Sequence, residues 1–277
     1  MRLLPGRQVA SVWHDWPKSF PNAQADVDSF LINAKVTEVK RRAKVLLIEL
    51  DSKYSLVIHL KMTGQLVFMG KGERFGAGHP TDSLVGQLPD KSTHVYLEFA
   101  DGSHLYFNDQ RKFGWMRLLP TAEVPSVDFF QKVGPEPLAS DFTSSDFRVR
   151  ICRRPNSIIK AVLLDQTVVA GVGNIYADES LWGAKIHPAT RVKDISDAKL
   201  NLLYTELRDV LQLAIQKGGS SDKNYVNAEG KRGSYLSFAR VFRREGKPCP
   251  RHPDTLIIKL KLAGRGTHIC PRCQKES

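Results

Sequence analysis

Cys249-Pro250-Arg251-His252 and Cys270-Pro271-Arg272-Cys273 share one form: a metal-ligand side chain, a proline, an arginine and a second ligand. Two residues separate the ligands in each, the spacing at which a tight turn brings two side chains to one metal ion. Four protein ligands close a tetrahedral sphere, so one structural Zn2+ on Cys249, His252, Cys270 and Cys273 is the expected cofactor. His252 stands where cysteine is more usual; His268 or a water is the alternative fourth ligand. Between the pairs, Leu256–Leu262 alternates in part and is expected to be the first strand of a hairpin. Its tip, Leu262-Ala263-Gly264-Arg265-Gly266-Thr267, sets Arg265 between two glycines, where it can reach a groove or a phosphate. A ribbon this small has too little core to fold without its metal.

Charge points outward from this segment. The chain has 277 residues and a formal net charge of +12. Residues 231–277 hold twelve Lys and Arg against Glu245, Asp254 and Glu276. A surface so basic favours polyanions, nucleic acid before anionic membrane. Hydrophobic content of 42% and charged content of 25% fit a soluble globular protein, and the length suffices for two modest domains. The apolar runs are too short to span a bilayer, and Met1–Gly6 has no apolar core of the signal-peptide kind, so a cytoplasmic location is expected. Cys152 stands alone, and in a cytosolic chain the other three cysteines suit a metal better than disulfides.

Toward the N-terminus the period is that of strands. Lys44–Leu50 and Ser55–Leu60 are apolar runs around the turn Asp51–Tyr54; His94–Phe99 and His104–Asn108 flank Ala100-Asp101-Gly102-Ser103 as a hairpin. Gly70–Lys91, rich in Gly and Pro, reads as a long loop. Strands at this spacing predict a β-sandwich or barrel. After Pro120 the period becomes helical: Ile158–Leu164, Ile175–Trp182, and a long helix capped by Ser196 with Leu200, Leu203, Leu207, Val210, Leu211 and Ala214 on one face, ended by Gly218-Gly219. The expected layout is α+β: a sandwich over residues 1–119, a helical domain over 120–235 and a zinc ribbon over 236–277.

Several short motifs stand in order along the chain: Arg41-Arg42-Ala43-Lys44, His59-Leu60-Lys61-Met62-Thr63-Gly64, Asn108-Asp109-Gln110-Arg111-Lys112-Phe113-Gly114, Gly134-Pro135-Glu136-Pro137-Leu138 and Gly171-Val172-Gly173-Asn174-Ile175-Tyr176-Ala177-Asp178-Glu179. With the ribbon, they resemble the bacterial formamidopyrimidine-DNA glycosylases, which have endonuclease VIII as a cousin. The resemblance implies an N-terminal β-sandwich, a helix–two-turn–helix domain and a zinc ribbon, with DNA between the lobes. It implies base-excision repair of oxidised purines (8-oxoguanine, formamidopyrimidines) in duplex DNA by a monomer, through glycosylase and AP-lyase chemistry. A nucleoid-associated place in a bacterial cytoplasm goes with that partner.

Residue by residue, the resemblance makes Met62, Arg111 and Phe113 the side chains that fill the gap left by an extruded base, a task suited to a thioether, a guanidinium and an aromatic wedge. Gly171–Asn174 opens a helix, and its backbone N–H groups with the Asn174 amide suit a phosphate. Lys160 is expected at a second phosphate, Arg265 at those beside the flipped nucleotide, and Lys44 near the lesion, where it also serves proton donation. Ser220–Tyr235 corresponds to the loop over the flipped base, with Tyr235 a DNA contact. One part departs: the family's Pro-Glu-Leu-Pro-Glu head has no counterpart here, since Met1–Arg7 resembles the end of its first helix, and the Pro5 nitrogen is an amide. The family's nucleophile and acid are therefore not expected within residues 1–277, and a DNA-binding protein without cleavage is the alternative reading.

Overall fold

The computed structural model describes residues 3–79, 81–219 and 234–276. These form two compact units, residues 3–131 and the described residues from 132 onward.

The first unit is a sandwich of antiparallel strands. In order come β1 (Val9–His14), α1 (Gln24–Phe30), β2 (Val36–Arg42), β3 (Val45–Leu50), β4 (Tyr54–His59), β5 (Gly64–Gly70), β6 (Glu73–Gly78), β7 (Thr93–Phe99), β8 (His104–Asp109) and β9 (Trp115–Pro120). One sheet has the order β1-β7-β8-β5-β6 and the other β2-β3-β4-β9. Alternation explains the core: Ile48, Leu56, Ile58 and Met116 from one sheet meet Leu97, Phe99 and Phe107 from the other, all at 2% exposure or less. Each such side chain contributes about 1.5–3 kcal/mol by burial.

Two expectations change here. Residues 70–91 are not one loop, because Glu73–Gly78 pairs with β5 as an edge strand and a 3-10 turn follows at Asp82–Leu84. The glycine that disguised the strand has a packing cause: a Cβ on Gly76 would lie 2.6 Å from Leu84 Cδ2. The sandwich unit also runs on past Pro120, since Val124, Phe129 and Phe130 pack against Val45 and Val57.

The second unit opens after α2 (Asp128–Lys132) and holds α3 (Ser144–Cys152), α4 (Ile159–Leu164), α5 (Asn174–Gly183), α6 (Asp197–Gln216), α7 (Tyr235–Phe238) and the hairpin β10 (Ile258–Leu262) with β11 (Arg265–Ile269). Ser196 caps α6 by accepting from the Lys199 N–H, and the face Leu200, Leu203, Leu207, Val210 and Ala214 is buried as its spacing predicts. Gly218 and Gly219, both at positive φ, end it. Leu181 and Ala177 of α5 pack with Leu203 and Leu207 of α6 in one core. Among the described residues, no helix is long and apolar enough to cross a membrane.

Candidate nucleic-acid interface and metal centre

In the sandwich, strand register gathers the expected residues at one end. Val45 pairs with His59, and His59 with Trp115, so Lys44, the 60–63 loop and Gly114 share an edge. Gly64 pairs with Asp109, which places the 109–114 loop beside the 60–63 loop. Met62 and Phe113 are 53% and 55% exposed, too much for core residues of their size. Arg111 joins them: its Nη1 lies 3.6 Å from Met62 Sδ, and its guanidinium sits 4.9 Å over the Phe113 ring.

A buried acid holds this cluster. Asp109, 1% exposed, accepts from the N–H groups of Arg111 (3.2 Å), Phe113 (2.8 Å) and Gly114 (2.6 Å) and from the Thr63 hydroxyl. One carboxylate thus fixes both loops that bear the exposed trio. The chain must also pass close by at Gly114, where a Cβ would meet Phe107 Cζ at 2.8 Å. His59 steadies the other loop, its Nδ1 accepting from the Lys61 N–H at 2.9 Å. Burial, then the charges of Lys61 and Lys44, lower His59 to about 4, so the ring is neutral at pH 7 and keeps its acceptor. Lys44 itself is exposed on the turn between β2 and β3.

In the second unit, α5 starts without a side-chain cap at Gly173. Gln166 ties the preceding turn, accepting from Gly171 N–H (2.9 Å) and donating to the carbonyls of Leu164 and Val172. Gly171, at φ +78°, and Gly173 both face open space, so no side chain stands over the backbone at these two positions. The ribbon hairpin adjoins the same helix end, with Asn174 Nδ2 donating to the Gly266 carbonyl at 2.9 Å. Arg265, one residue earlier on β11, is exposed. An uncapped helix N-terminus, an asparagine amide and the strand that carries an exposed arginine thus adjoin one another.

Two expected contacts sit in the interior. Lys160 is wholly buried, its Nζ donating to Asp178 Oδ1 at 2.6 Å and Thr267 Oγ1 at 2.6 Å. Burial pushes its ammonium below the ordinary lysine value, with Asp178 opposing and the Arg265 charge adding to the fall. Tyr235 is likewise in the core, 1% exposed, edge-on to Tyr176 at 5.6 Å and packed with Val210 and Ala214. Its ring is apolar surface that α6 covers, and burial raises its hydroxyl well above the usual tyrosine range. Of the expected covering loop, 220–233 lies outside the described residues.

The four expected ligands meet. One ligand atom from each of Cys249, His252, Cys270 and Cys273 lies within 4.8 Å of the others. Cys249 and Cys273 sulfurs are 3.7 Å apart, against about 3.8 Å for the edge of a tetrahedron with Zn–S near 2.3 Å. His252 Nδ1 is 3.2 Å from the Cys273 sulfur, so His252, not His268, is the fourth ligand. Burial, then the neighbouring Cys270 and Cys249, push the Cys273 thiol up to about 12. Such crowded sulfurs need a cation to ionise together, which a zinc ion supplies.

The ribbon is mounted along α5 through residues that pattern reading passed over. Glu179, wholly buried, accepts from the N–H groups of Arg240, Val241 and Phe242 at 2.8, 2.9 and 2.8 Å. Asp178 Oδ2 accepts from the His268 N–H at 2.9 Å. At the far end, Arg251 donates to the carbonyls of Trp182 (2.8 Å) and Gly183 (3.0 Å) while lying 3.8 Å over the Trp182 ring. The sequence signal was two adjacent acids, Asp178-Glu179, among small and apolar neighbours on a helix whose buried residues also include Ser180.

Fold and site define a class: a β-sandwich with an exposed three-residue wedge, joined in one chain to a helical module that carries a zinc ribbon. Family models match in the same order. The formamidopyrimidine-DNA glycosylase N-terminal domain matches residues 1–116, the formamidopyrimidine-DNA glycosylase H2TH domain residues 133–225, and the zinc finger found in FPG and IleRS residues 246–275. The formamidopyrimidine-DNA glycosylase of Pelotomaculum thermopropionicum is 37% identical over 98% of this chain and 93% of its own length. That of Chloroflexus aurantiacus is 39% identical over 98% and 91%. Among solved structures, Lactococcus lactis Fpg in complex with an abasic site containing DNA aligns with a TM-score of 0.85 at 32% identity, covering 99% of this chain and 94% of that one. The same bacterium's Fpg with a FAPY-dG containing DNA gives 0.84 at 32% identity, over 99% and 95%. The chain belongs to the formamidopyrimidine-DNA glycosylase family, and its Cys249, His252, Cys270 and Cys273 hold one structural zinc.

Proposed function

We propose that this chain binds damaged duplex DNA as a monomer, at oxidised purines and abasic sites, within base-excision repair in a bacterial cytoplasm. The observation that carries the reading is the convergence of exposed Met62, Arg111 and Phe113 over the single buried carboxylate of Asp109. Side chains of this size leave water when they enter a base stack, and a preset cluster lowers the ordering cost of doing so. Met62 and Phe113 fill the gap, and Arg111 donates to the base left unpaired. Phosphates fall to the α5 N-terminus with Asn174 and to Arg265. Lys44, whose charge acts on neutral His59 at the same edge, serves phosphate contact and proton donation in the expected lesion region.

Binding and bond cleavage are separable. The resemblance assigns the covalent step to an N-terminal proline amine and its neighbouring glutamate, which attack C1′ and manage protons. The polypeptide of residues 1–277 is expected to bind an 8-oxoguanine duplex more tightly than the intact duplex in a gel shift, and borohydride trapping reports separately on Schiff-base formation. Loss of discrimination between damaged and intact duplexes contradicts the damage-recognition reading itself.

A further inference from the structure

Lys160 is the one wholly buried lysine among the described residues, and a buried cation needs a reason. Its ammonium is shared between two elements. From α4 it reaches Asp178 Oδ1 on α5 at 2.6 Å, and on β11 Thr267 Oγ1 at 2.6 Å and the Gly266 carbonyl at 3.3 Å. Asp178 completes the link from its other oxygen, accepting from the His268 N–H at 2.9 Å. The three β11 positions so held, 266 to 268, follow Arg265 directly. The Gly266 carbonyl also accepts from Asn174 at the head of α5. Every polar group around this pair thus sets where β11 lies along α5. Arg265 emerges exposed at the end of that fixed strand.

We propose that the Lys160–Asp178 pair is a positioning device that sets the Arg265 end of the ribbon hairpin against the N-terminus of α5, acting on DNA only through Arg265. The pair makes no contact with a ligand. It fixes the register that turns a helix N-terminus, an asparagine and an arginine into one site. Apolar residues of equal size would fill the same space but would leave the His268 N–H without its acceptor and Thr267 with only its bond to the Arg265 carbonyl on the same strand. A charged pair specifies the hairpin's place where a packed apolar contact would let it slide.

The inference rests on the DNA-binding reading for its effect on affinity, and the test keeps the two apart. Affinity for an abasic-site duplex, its salt slope and zinc content are measured for wild type, Lys160→Met, Arg265→Ala and the double variant. Lys160→Met is expected to weaken binding roughly tenfold and to flatten the slope of log K against log salt by about one contact, with zinc retained. In the Arg265→Ala background, the same change is expected to cost nothing further in affinity or slope. Additive losses in the double variant overturn the proposal, because they mean that Lys160 contributes separately. If Lys160→Met does not fold, Lys160→Met with Asp178→Leu removes both buried charges together and takes its place in the cycle. If wild type and Arg265→Ala bind alike, the DNA reading of Arg265 has failed, and hydrogen exchange decides the positioning claim. Asp178→Ala is then expected to speed exchange of the His268 amide at least tenfold with zinc retained, and unchanged exchange overturns the claim.

Discussion

The two exposed regions of this chain are held in opposite ways. The wedge end of the sandwich is built from loops, and one carboxylate, Asp109, gathers them through backbone N–H groups. The ribbon is anchored on a helix, and its restraints run the length of α5: Asn174 at the start, Asp178 and Glu179 in the middle, and the last carbonyls under Arg251. A single clamp suits the proposed role of side chains that enter a base stack and adjust to it. A distributed mount suits an arm whose arginine must arrive at one place. The wholly buried ion pair Lys160–Asp178 lies under the ribbon, whereas the wedge carries its large side chains in water above one buried acid.

The largest expected effect separates the two regions outright. Chelating zinc, or Cys270→Ser, should unfold residues 246–275 and weaken duplex binding by about a hundredfold or more. Amide protection in the sandwich should stay intact, as hydrogen exchange would report; loss of protection in both regions would break the comparison. Next comes Asp109→Ala. It leaves several buried donors unsatisfied and should cost about 3 kcal/mol in urea unfolding of the sandwich. A cost under about 1 kcal/mol would mean that the loops hold themselves.

The pH response sharpens the same contrast. His59 is lowered to about 4 in the folded chain from an ordinary 6.5. Above pH 6.5 the ring is neutral folded or unfolded, and its contribution is fully present. As pH falls from about 6.5 to 4, the unfolded chain takes up the proton first, so stability is lost, by about 2–3 kcal/mol at most. His59→Asn should flatten that window in chemical denaturation, and an unchanged slope would argue against a buried neutral ring. The smallest effect on stability belongs to Phe113→Ala. An exposed ring should cost under about 0.5 kcal/mol of folding, yet weaken abasic-duplex binding by roughly five- to thirtyfold through lost stacking. A large loss of stability would place Phe113 in the core.

What the sequence made legible follows from periodicity and spacing. The face of α6, the two zinc knuckles and the β10–β11 hairpin each have a local signature, and each formed as that signature requires. Strand β6 was hidden because its glycine makes room for Leu84, which no local pattern records. The burial of Lys160 and Tyr235 was hidden for a related reason. A basic or aromatic residue in a binding motif looks like a contact until its partner is known, and those partners, Asp178 and Tyr176, lie on α5. Asp109 and Glu179 went unnoticed because a carboxylate that binds backbone N–H groups has no partner visible in sequence.

The central claim is that the exposed trio recognises a gap in the duplex. Equilibrium affinity of the 277-residue polypeptide for a duplex with one abasic-site analogue, set against the same duplex intact at fixed salt, tests it most directly. Binding to the abasic duplex is expected to be at least about tenfold tighter, with that preference abolished when Met62, Arg111 and Phe113 are all changed to Ala. Equal affinity for the two duplexes in the unaltered protein, or a preference that survives the triple change, would contradict it.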